Sequence, residues 1–154
     1  MTFQFEALPA ETFAHLFDLS DADLAARRAV RLEQWNGNAP CRVSLDFAKP
    51  GERVILVNYD HLDVASPYAA RHAVYVREGA ASARPAPGDV PAMLAGYTLA
   101  LRAFDASGVL VARELVDRDD IEPVLKTLLA GPDVAHVDVH YAAAGCFAAR
   151  ARAV

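Results

Sequence analysis

Three side chains with metal-binding or acid–base chemistry, His136, Asp138 and His140, alternate along residues 134–140, and Cys146 follows shortly after. In an extended strand, residues i, i+2 and i+4 share one face and stand about 7 Å apart in succession. Two imidazoles and a carboxylate in this arrangement could hold a divalent metal ion, and Cys146 could add a thiolate from the next strand. The simpler interpretation, which the pattern favours, is the solvent face of an amphipathic strand whose valines enter the core.

A second polar group, Asn58, Tyr59, Asp60 and His61, directly follows the most strongly apolar strand segment of the sequence. Polar residues that follow an apolar segment abruptly are typical of a sheet edge that opens into a cleft. His61 is therefore a candidate general base, and Asn58 a candidate ligand-binding residue. The alternative is a strand end that meets water.

Two arginines in strand-like segments are candidate anion-binding residues, because a guanidinium pairs with carboxylates and phosphates through two parallel hydrogen bonds. Arg77 ends the segment 73–78, which follows Tyr68 and His72. Arg102 lies inside the apolar segment 98–104. A charge there must face water, meet a partner or line a pocket. The alternative is a simple ion pair with an acid such as Glu114 or Asp105.

The sequence has two cysteines, Cys41 and Cys146, far apart along the chain. In a chain that is not exported, the expected state is two reduced thiols. A thiol near cations can act as a nucleophile, and Cys146 is the candidate. The alternative is a buried and inert cysteine, because cysteine is among the most buried residue types.

Length and composition predict one globular domain over residues 1–154, since 54% of the residues are hydrophobic and 23% are charged. A net charge of −5 disfavours binding to nucleic acid or to anionic membranes, which both require concentrated basic surface. No signal peptide and no apolar segment of membrane-spanning length is present in the sequence. We therefore expect a cytoplasmic protein.

The elements that must position these residues follow from periodicity. Apolar residues at helical spacing predict helices over residues 9–17, 20–28 and 117–130, with Ser20 as the N-cap of the second. Residues 35–40 and 79–90 are predicted loops, the latter able to move, and residues 91–94 a single helical turn. Alternation predicts strands over residues 3–6, 41–47, 53–59, 73–78, 97–104, 109–116, 134–140 and 146–150.

Several of these strands follow one another through short turns, and residues 105–108 are a clear hairpin turn. Short turns join antiparallel neighbours, whereas parallel strands need long crossovers. The predicted fold class is therefore α+β, with a mostly antiparallel sheet of about seven or eight strands and two or three helices.

Taken together, these segments resemble an uncharacterised bacterial family, domain of unknown function 1203. The resemblance implies that this domain is the complete protein, and it supplies no activity. It draws attention to His61, Tyr68, His72, Arg77, Arg102, His140 and Cys146, and it discounts His136. The stretches that carry it are residues 40–45 (PCRVSL), 56–61 (LVNYDH), 66–68 (SPY), 72–79 (HAVYVREG), 101–105 (LRAFD), 139–141 (VHY) and 145–150 (GCFAAR).

Three functional hypotheses remain open. The first is a site for a small anionic molecule, either catalytic or purely binding, with candidate catalytic residues His61, His72, His140 and Cys146 and candidate ligand-binding residues Arg77, Arg102, Tyr68 and Asn58. The second is a metal-binding protein that uses His140 and Asp138 with His61 or His72. The third is a non-catalytic module that forms a homodimer. Neither a cofactor nor a fixed set of metal ligands is assigned from the sequence.

Overall fold

The computed structural model describes residues 1–33 and 39–154, and within those ranges it contains ten strands and two α-helices. The helices are α1 (Asp21–Ala26) and α2 (Ile121–Leu129), and short 3-10 helices cover Ala10–Thr12, Ala14–Asp18, Ala92–Leu94 and Arg118–Asp120. The strands are β1 (Phe3–Glu6), β2 (Ala29–Leu32), β3 (Ala39–Cys41), β4 (Asp46–Ala48), β5 (Val54–Leu62), β6 (Ala70–Arg77), β7 (Thr98–Phe104), β8 (Leu110–Asp117), β9 (His136–Tyr141) and β10 (Phe147–Ala153).

These strands form two five-stranded sheets rather than the single sheet of seven or eight strands expected from the sequence. Sheet A has the order β1-β10-β9-β7-β8 and is antiparallel throughout. Sheet B has the order β2-β5-β6-β3-β4 and is mixed, because β3 pairs with β6 in parallel. The α+β class and the mostly antiparallel pairing are confirmed. The single sheet was wrong because alternation reveals strands but not which hairpins join edge to edge.

Sheet A buries one face under α2. Leu99, Leu101 and Ala103 of β7 and Val137 and Val139 of β9 lie in one core cluster with the apolar stripe of this helix. Register then forces the alternate residues of β7 and β9 onto the opposite face of the sheet. That opposite face carries His136, Asp138 and His140.

Sheet B packs its apolar face against the N-terminal helices. Ile55 and Val57 of β5 and Val74 and Val76 of β6 lie in a second cluster with residues of these helices. Phe147 of sheet A joins this same cluster. The two sheets therefore meet beside β10, where the polar ends of β5 and β6 lie against β9.

The hairpin of β7 and β8 and the cap of α1 are confirmed. Ser20 accepts a hydrogen bond from the backbone N–H of Asp23, which satisfies one of the free donors of the first turn. Residues 79–90 contain no helix or strand, as expected of a loop. Helix α2 begins at Ile121, after a 3-10 turn, and places Pro123 in its first turn. None of the described helices is long and apolar enough to span a bilayer.

Other local predictions were wrong. Residues 41–47 are not one strand: β3 ends at Cys41, a turn follows, and Leu45 adopts a φ of 53° before β4 begins. The predicted helix over residues 9–17 is two 3-10 helices. Strand β2 occupies residues 29–32, where no element was expected. The predicted loop over 35–40 lies outside the described residues as far as residue 38, and Ala39 and Pro40 belong to β3.

Candidate metal centre

Strand β9 is buried along its whole length, on both faces. Asp138 is 0% exposed and His140 is 2% exposed, so this is not the solvent face that the alternation favoured. The valines of β9 do enter the core, as expected, but the polar face enters the junction of the two sheets. The favoured interpretation of this strand as amphipathic and half-exposed was therefore wrong.

Strands β5 and β6 bring two more histidines to the same place. Strand β5 does not end at Tyr59 but continues to Leu62, because β6 pairs with it beyond that point, Asp60 with Arg71 and Leu62 with Ala70. His61 lies at the register shift between these two pairs, so the polar residues after Tyr59 are not a strand end that opens into a cleft. His61 is buried and His72 is partly exposed beside it.

The three imidazoles of His61, His72 and His140 form a triangle. The ring centroids of His61 and His72 are 4.9 Å apart, and each lies 5.2 Å from the ring centroid of His140. Nδ1 of His72 is 2.8 Å from Nε2 of His61. The ring of Phe147 stacks on that of His61, with centroids 4.6 Å apart.

Asp138 contacts one member of this triangle, His61, and is held by two partners. Arg150 donates to Oδ1 at 2.7 Å from Nε and to Oδ2 at 3.0 Å from Nη2. Nδ1 of His61 lies 3.3 Å from Oδ2. Burial acts to raise the pKa of this carboxyl, but the hydrogen bonds from His61 and Arg150 outweigh it and lower the pKa to about 2. Asp138 is therefore ionised and only accepts hydrogen bonds.

His140 has a free nitrogen inside the cluster. Its Nδ1 lies 3.1 Å from the carbonyl oxygen of Gly145, which only accepts, so Nδ1 carries the proton. Nε2 is then a lone pair, and it is buried with no hydrogen-bond partner among the described residues. Burial lowers the pKa of His140 to about 4, although the Gly145 hydrogen bond acts to raise it. This imidazole is neutral at physiological pH, the form that binds metal ions.

His61 is oriented by a different partner. Because Asp138 is ionised, Nδ1 of His61 donates to it, and Nε2 of His61 faces Nδ1 of His72 at 2.8 Å. One ligand atom from each of His61, Asp138 and His140 can be chosen so that all three lie within 4.8 Å of one another. A histidine oriented by a carboxylate, beside a second histidine oriented by a backbone carbonyl, is typical of metal-binding imidazoles.

His136 lies at the margin of this cluster. Its Nε2 is 3.7 Å from Asp138 Oδ1, and its ring stacks on Phe104 at 5.5 Å. Burial, together with the charge of Arg150, lowers the pKa of His136 to about 4. Four of the five histidines in the chain thus gather at the sheet junction, and His15 is exposed elsewhere.

The structure does not bring all of the predicted site residues together. Arg77 lies 3.6 Å from Glu52 at the far end of β6, and Asn58 is held in the β5 ladder, its backbone N–H donating to Arg28. Tyr68 is partly exposed, with its ring 6.3 Å from that of Phe104. These three residues are not part of the histidine cluster.

Arg102 does reach the cluster. It pairs with Asp138 across the β7–β9 ladder, and its positive charge contributes to lowering the pKa of both His72 and His140, after the larger effect of burial. Its guanidinium lies 5.6 Å from the ring centroid of Phe104. Within the described residues it forms no ion pair with Glu114 or Asp105, the partners that the alternative interpretation offered.

Cys146 faces away from the histidines. It lines a separate cleft with Arg42 and Tyr141, and its Sγ lies 3.4 Å from Nη2 of Arg42. Tyr141 and His140 are consecutive on β9 and so point to opposite faces of the sheet. Of the four candidate catalytic residues, the structure therefore groups His61, His72 and His140 but places Cys146 in a different cleft. Both cysteines are free thiols.

Two arginines with a part in these sites were not predicted from the sequence. Arg150 lies on β10 among Ala148, Ala149 and Ala151, and Arg42 lies in the turn after β3, where it is 1% exposed. A charge inside an apolar strand is the signal that singles out Arg102, and it would have identified Arg150 equally well. Arg42 has no comparable signal, because the alternation of residues 41–47 predicts a strand where the structure has a turn.

Residues 38–152 match a known protein family, which is described as a protein of unknown function, DUF1203. The chain belongs to the DUF1203 family. This confirms the resemblance drawn from the sequence motifs. No curated protein and no solved structure gives a significant match. For this DUF1203 protein, functional inference therefore rests on the chemistry of its own side chains.

Proposed function

We propose that this DUF1203 protein binds a divalent transition-metal ion through His61, Asp138 and His140. The observation that carries the proposal is the buried Nε2 of His140, which has no partner among the described residues. His61, Asp138 and His140 also each offer one ligand atom, and these three atoms lie within 4.8 Å of one another. A buried polar atom without a partner is costly, and a bound ion is one way in which proteins satisfy it.

The donor set favours a transition metal over calcium or magnesium. Imidazole nitrogens suit Zn²⁺, Fe²⁺, Ni²⁺ and Cu²⁺, whereas Ca²⁺ and Mg²⁺ prefer sites made of oxygen atoms. His72 supports the same choice, because its Nδ1 faces Nε2 of His61 at 2.8 Å. By carrying its proton on Nε2 instead, His72 could join as a fourth ligand. Such a set of imidazoles with one carboxylate is typical of zinc and non-haem iron sites.

The surrounding residues support the proposed ligands in distinct ways. Gly145 fixes the tautomer of His140, and Asp138 fixes that of His61. Arg150 keeps Asp138 ionised, although it also occupies both carboxylate oxygens. We therefore assign most of the metal affinity to the imidazoles and a supporting role to the carboxylate.

Metal analysis of the chelator-free protein tests this proposal. We expect stoichiometric metal by mass spectrometry and, after chelation, saturable uptake of Zn²⁺ or Co²⁺ by calorimetry. The His140→Ala and His61→Ala variants should each weaken Zn²⁺ binding by at least about 100-fold, the upper range for loss of a supporting residue. Cobalt absorption in the visible range would report nitrogen ligation directly.

His15→Ala is the matched control, because it removes an exposed histidine that is not one of the four at the sheet junction. It should bind Zn²⁺ as the wild-type protein does. Circular dichroism establishes that each variant is folded before its affinity is compared. A folded wild-type protein that takes up neither Zn²⁺ nor Co²⁺, or a His140→Ala variant with unchanged affinity, would rule out the site.

A second candidate function rests on the hydrogen-bond chain from Asp138 through His61 to His72. This chain begins at a buried carboxylate and ends at a partly exposed imidazole. In such an arrangement His72 serves as a general base, oriented by His61, which the buried carboxylate orients in turn. It corresponds to the catalytic hypothesis for His61 and His72, with an unidentified substrate.

The two functions respond differently to substitution of Asp138. Under the metal proposal, Asp138→Asn lowers Zn²⁺ affinity. Under the acid–base alternative, the protein holds no metal, and the same substitution lowers the pKa of His72 measured by NMR titration, because the negative charge at the end of the chain is removed. A metal-free wild-type protein with a His72 pKa that depends on Asp138 would favour the alternative.

A further inference from the structure

A cleft of about 320 Å³ lies on the opposite face of β9 from the histidine cluster. Arg42 and Cys146 line it together with the rings of Tyr75, Tyr97 and Tyr141. Its volume is at the lower end of the range of about 300–1,000 Å³ that is typical of small-molecule sites. The proposed metal centre does not use any of these five residues.

Arg42 is a buried cation without an acidic partner. It is 1% exposed, and none of the ion pairs formed by the described residues includes it. Burial lowers its pKa, and the groups that act to raise it again are the thiols and phenol of Cys146, Tyr141 and Cys41 rather than a carboxylate. Because a buried charge is normally paired, the lack of a counter-anion in the described chain calls for one from outside.

The guanidinium also has hydrogen-bonding capacity to spare. Nε donates to the carbonyl oxygen of Phe147 at 2.8 Å, Nη1 donates to that of Pro40, and Nη2 donates to Sγ of Cys146 at 3.4 Å. An arginine has five N–H donors, so two remain without an acceptor among the described residues. The bonds to Phe147 and Pro40 fix the guanidinium plane, so the remaining donors are held in place before any ligand arrives.

Tyrosine rings form the walls around this group. The guanidinium lies 5.3 Å from the ring centroid of Tyr141 and 5.9 Å from that of Tyr75. The rings of Tyr97 and Tyr141 meet edge to face at 4.9 Å, and Tyr141 donates its hydroxyl to the carbonyl oxygen of Met93. The phenol of Tyr141 is thereby occupied. Aromatic walls of this kind pack well against an apolar or aromatic body.

We infer that this cleft binds a small organic carboxylate with a flat, apolar body, whose carboxylate pairs with Arg42 and whose body packs against Tyr97 and Tyr141. The ligand carboxylate supplies the negative charge that Arg42 lacks among the described residues. Cys146 lies at the guanidinium and thus beside the bound carboxylate. Strand patterns in the sequence predict an anion at Arg77 and Arg102, whereas the cleft places it at Arg42.

Simple aromatic acids test the inference in chelator-treated protein, so that the metal centre does not contribute. Benzoate and phenylacetate are titrated into ¹⁵N-labelled protein, with benzamide as the neutral match for benzoate. We expect the amide signals of Tyr97, Ala144 and Cys146 to shift with at least one acid, and benzamide to bind at least about tenfold more weakly, because it lacks the charge-assisted hydrogen bonds. Bound acid should also slow the alkylation of Cys146 by iodoacetamide.

Ala144→Phe places a ring in the cleft from its exposed turn and should abolish binding, whereas Ala81→Phe, on an exposed loop elsewhere, should not. Arg42→Met should remove the preference for acid over amide, and Tyr97→Ala provides a second variant should Arg42→Met fail to fold. Equal binding of acid and amide, binding that survives Ala144→Phe, or no shift with either acid at millimolar concentrations would overturn the inference. Binding that persists in His140→Ala separates this site from the metal centre.

Discussion

At the scale of single residues, the main feature of the protein is its buried charged side chains. Asp138 is completely buried and depends on Arg150 and His61 to remain ionised. Arg150 in turn donates to the backbone carbonyl oxygen of His61 at 3.0 Å and so links β10 of sheet A to β5 of sheet B. The pair therefore has a structural role in addition to any role in binding a metal ion.

Asp138→Asn in metal-free protein should lower the free energy of unfolding by about 3–5 kcal/mol, because it removes the buried carboxylate that pairs with Arg150, whose side chain is only 20% exposed. Chemical denaturation monitored by circular dichroism measures the loss. Asp60→Asn is the matched control, since Asp60 pairs with Arg71 at 2.8 Å but both side chains are about half exposed. We expect a change below about 1 kcal/mol there. Similar losses in the two variants would show that burial is not what makes the Asp138 pair important.

At the scale of elements, strand alternation correctly predicts which side chains share a face but not what covers that face. His136, Asp138 and His140 do share a face of β9, as spacing predicts, yet that face is covered. The reason is that sheet B packs over it, and no property of residues 134–140 reveals a second sheet. The β7–β8 hairpin was predicted well, because its turn chemistry is local.

That hairpin turn also has a tertiary constraint. Gly108 has a φ of 78°, and a Cβ built there would lie 2.5 Å from Cγ2 of Val64. Ser66 reinforces the contact by donating to the carbonyl oxygen of Gly108 at 2.9 Å. The turn therefore packs against the segment between β5 and β6, and glycine is required both for its backbone conformation and for its small size.

Gly108→Ala should destabilise the protein by about 2–4 kcal/mol, combining the cost of a positive φ with that of overpacking against Val64. Gly51→Ala isolates the first contribution, because Gly51 has a φ of 87° and a Cβ added there would meet no heavy atom within 4 Å. We expect about 1–2 kcal/mol for Gly51→Ala in thermal or chemical unfolding. If Gly108→Ala and Gly51→Ala lower the free energy of unfolding by the same amount, the contact with Val64 does not add to the cost of a side chain at residue 108.

At the scale of the whole molecule, folding brings together residues from four strands of two sheets, β5, β6, β9 and β10. Burying neutral histidines at this junction makes folding sensitive to acid. His136 and His140 each have a folded-state pKa of about 4, against an ordinary value of 6.5. Above pH 6.5 both are neutral in the folded and unfolded states. Between pH 6.5 and 4 the unfolded chain takes up protons that the folded protein does not, so stability falls as the pH falls.

Each of these histidines should account for a loss of about 3 kcal/mol across that range in chelator-treated protein. Urea unfolding at a series of pH values measures it. His136→Phe retains a ring against Phe104 but cannot titrate, and it should remove the His136 contribution of about 3 kcal/mol from the pH dependence. His15→Ala should leave the dependence unchanged. Stability that stays constant from pH 7 to 5 would contradict the assignment of both imidazoles as neutral.

Local sequence information is enough to establish the family, the α+β class, most strand positions and the chemical identity of the candidate ligands. These follow from alternation, capping and turn residues, which act over a few neighbours in the chain. Tertiary packing is what buries Asp138 and His140, brings His61 and His72 to them, and places Cys146 with Arg42 in another cleft. Those outcomes depend on how two sheets pack, and packing is a property of contacts between residues far apart in sequence.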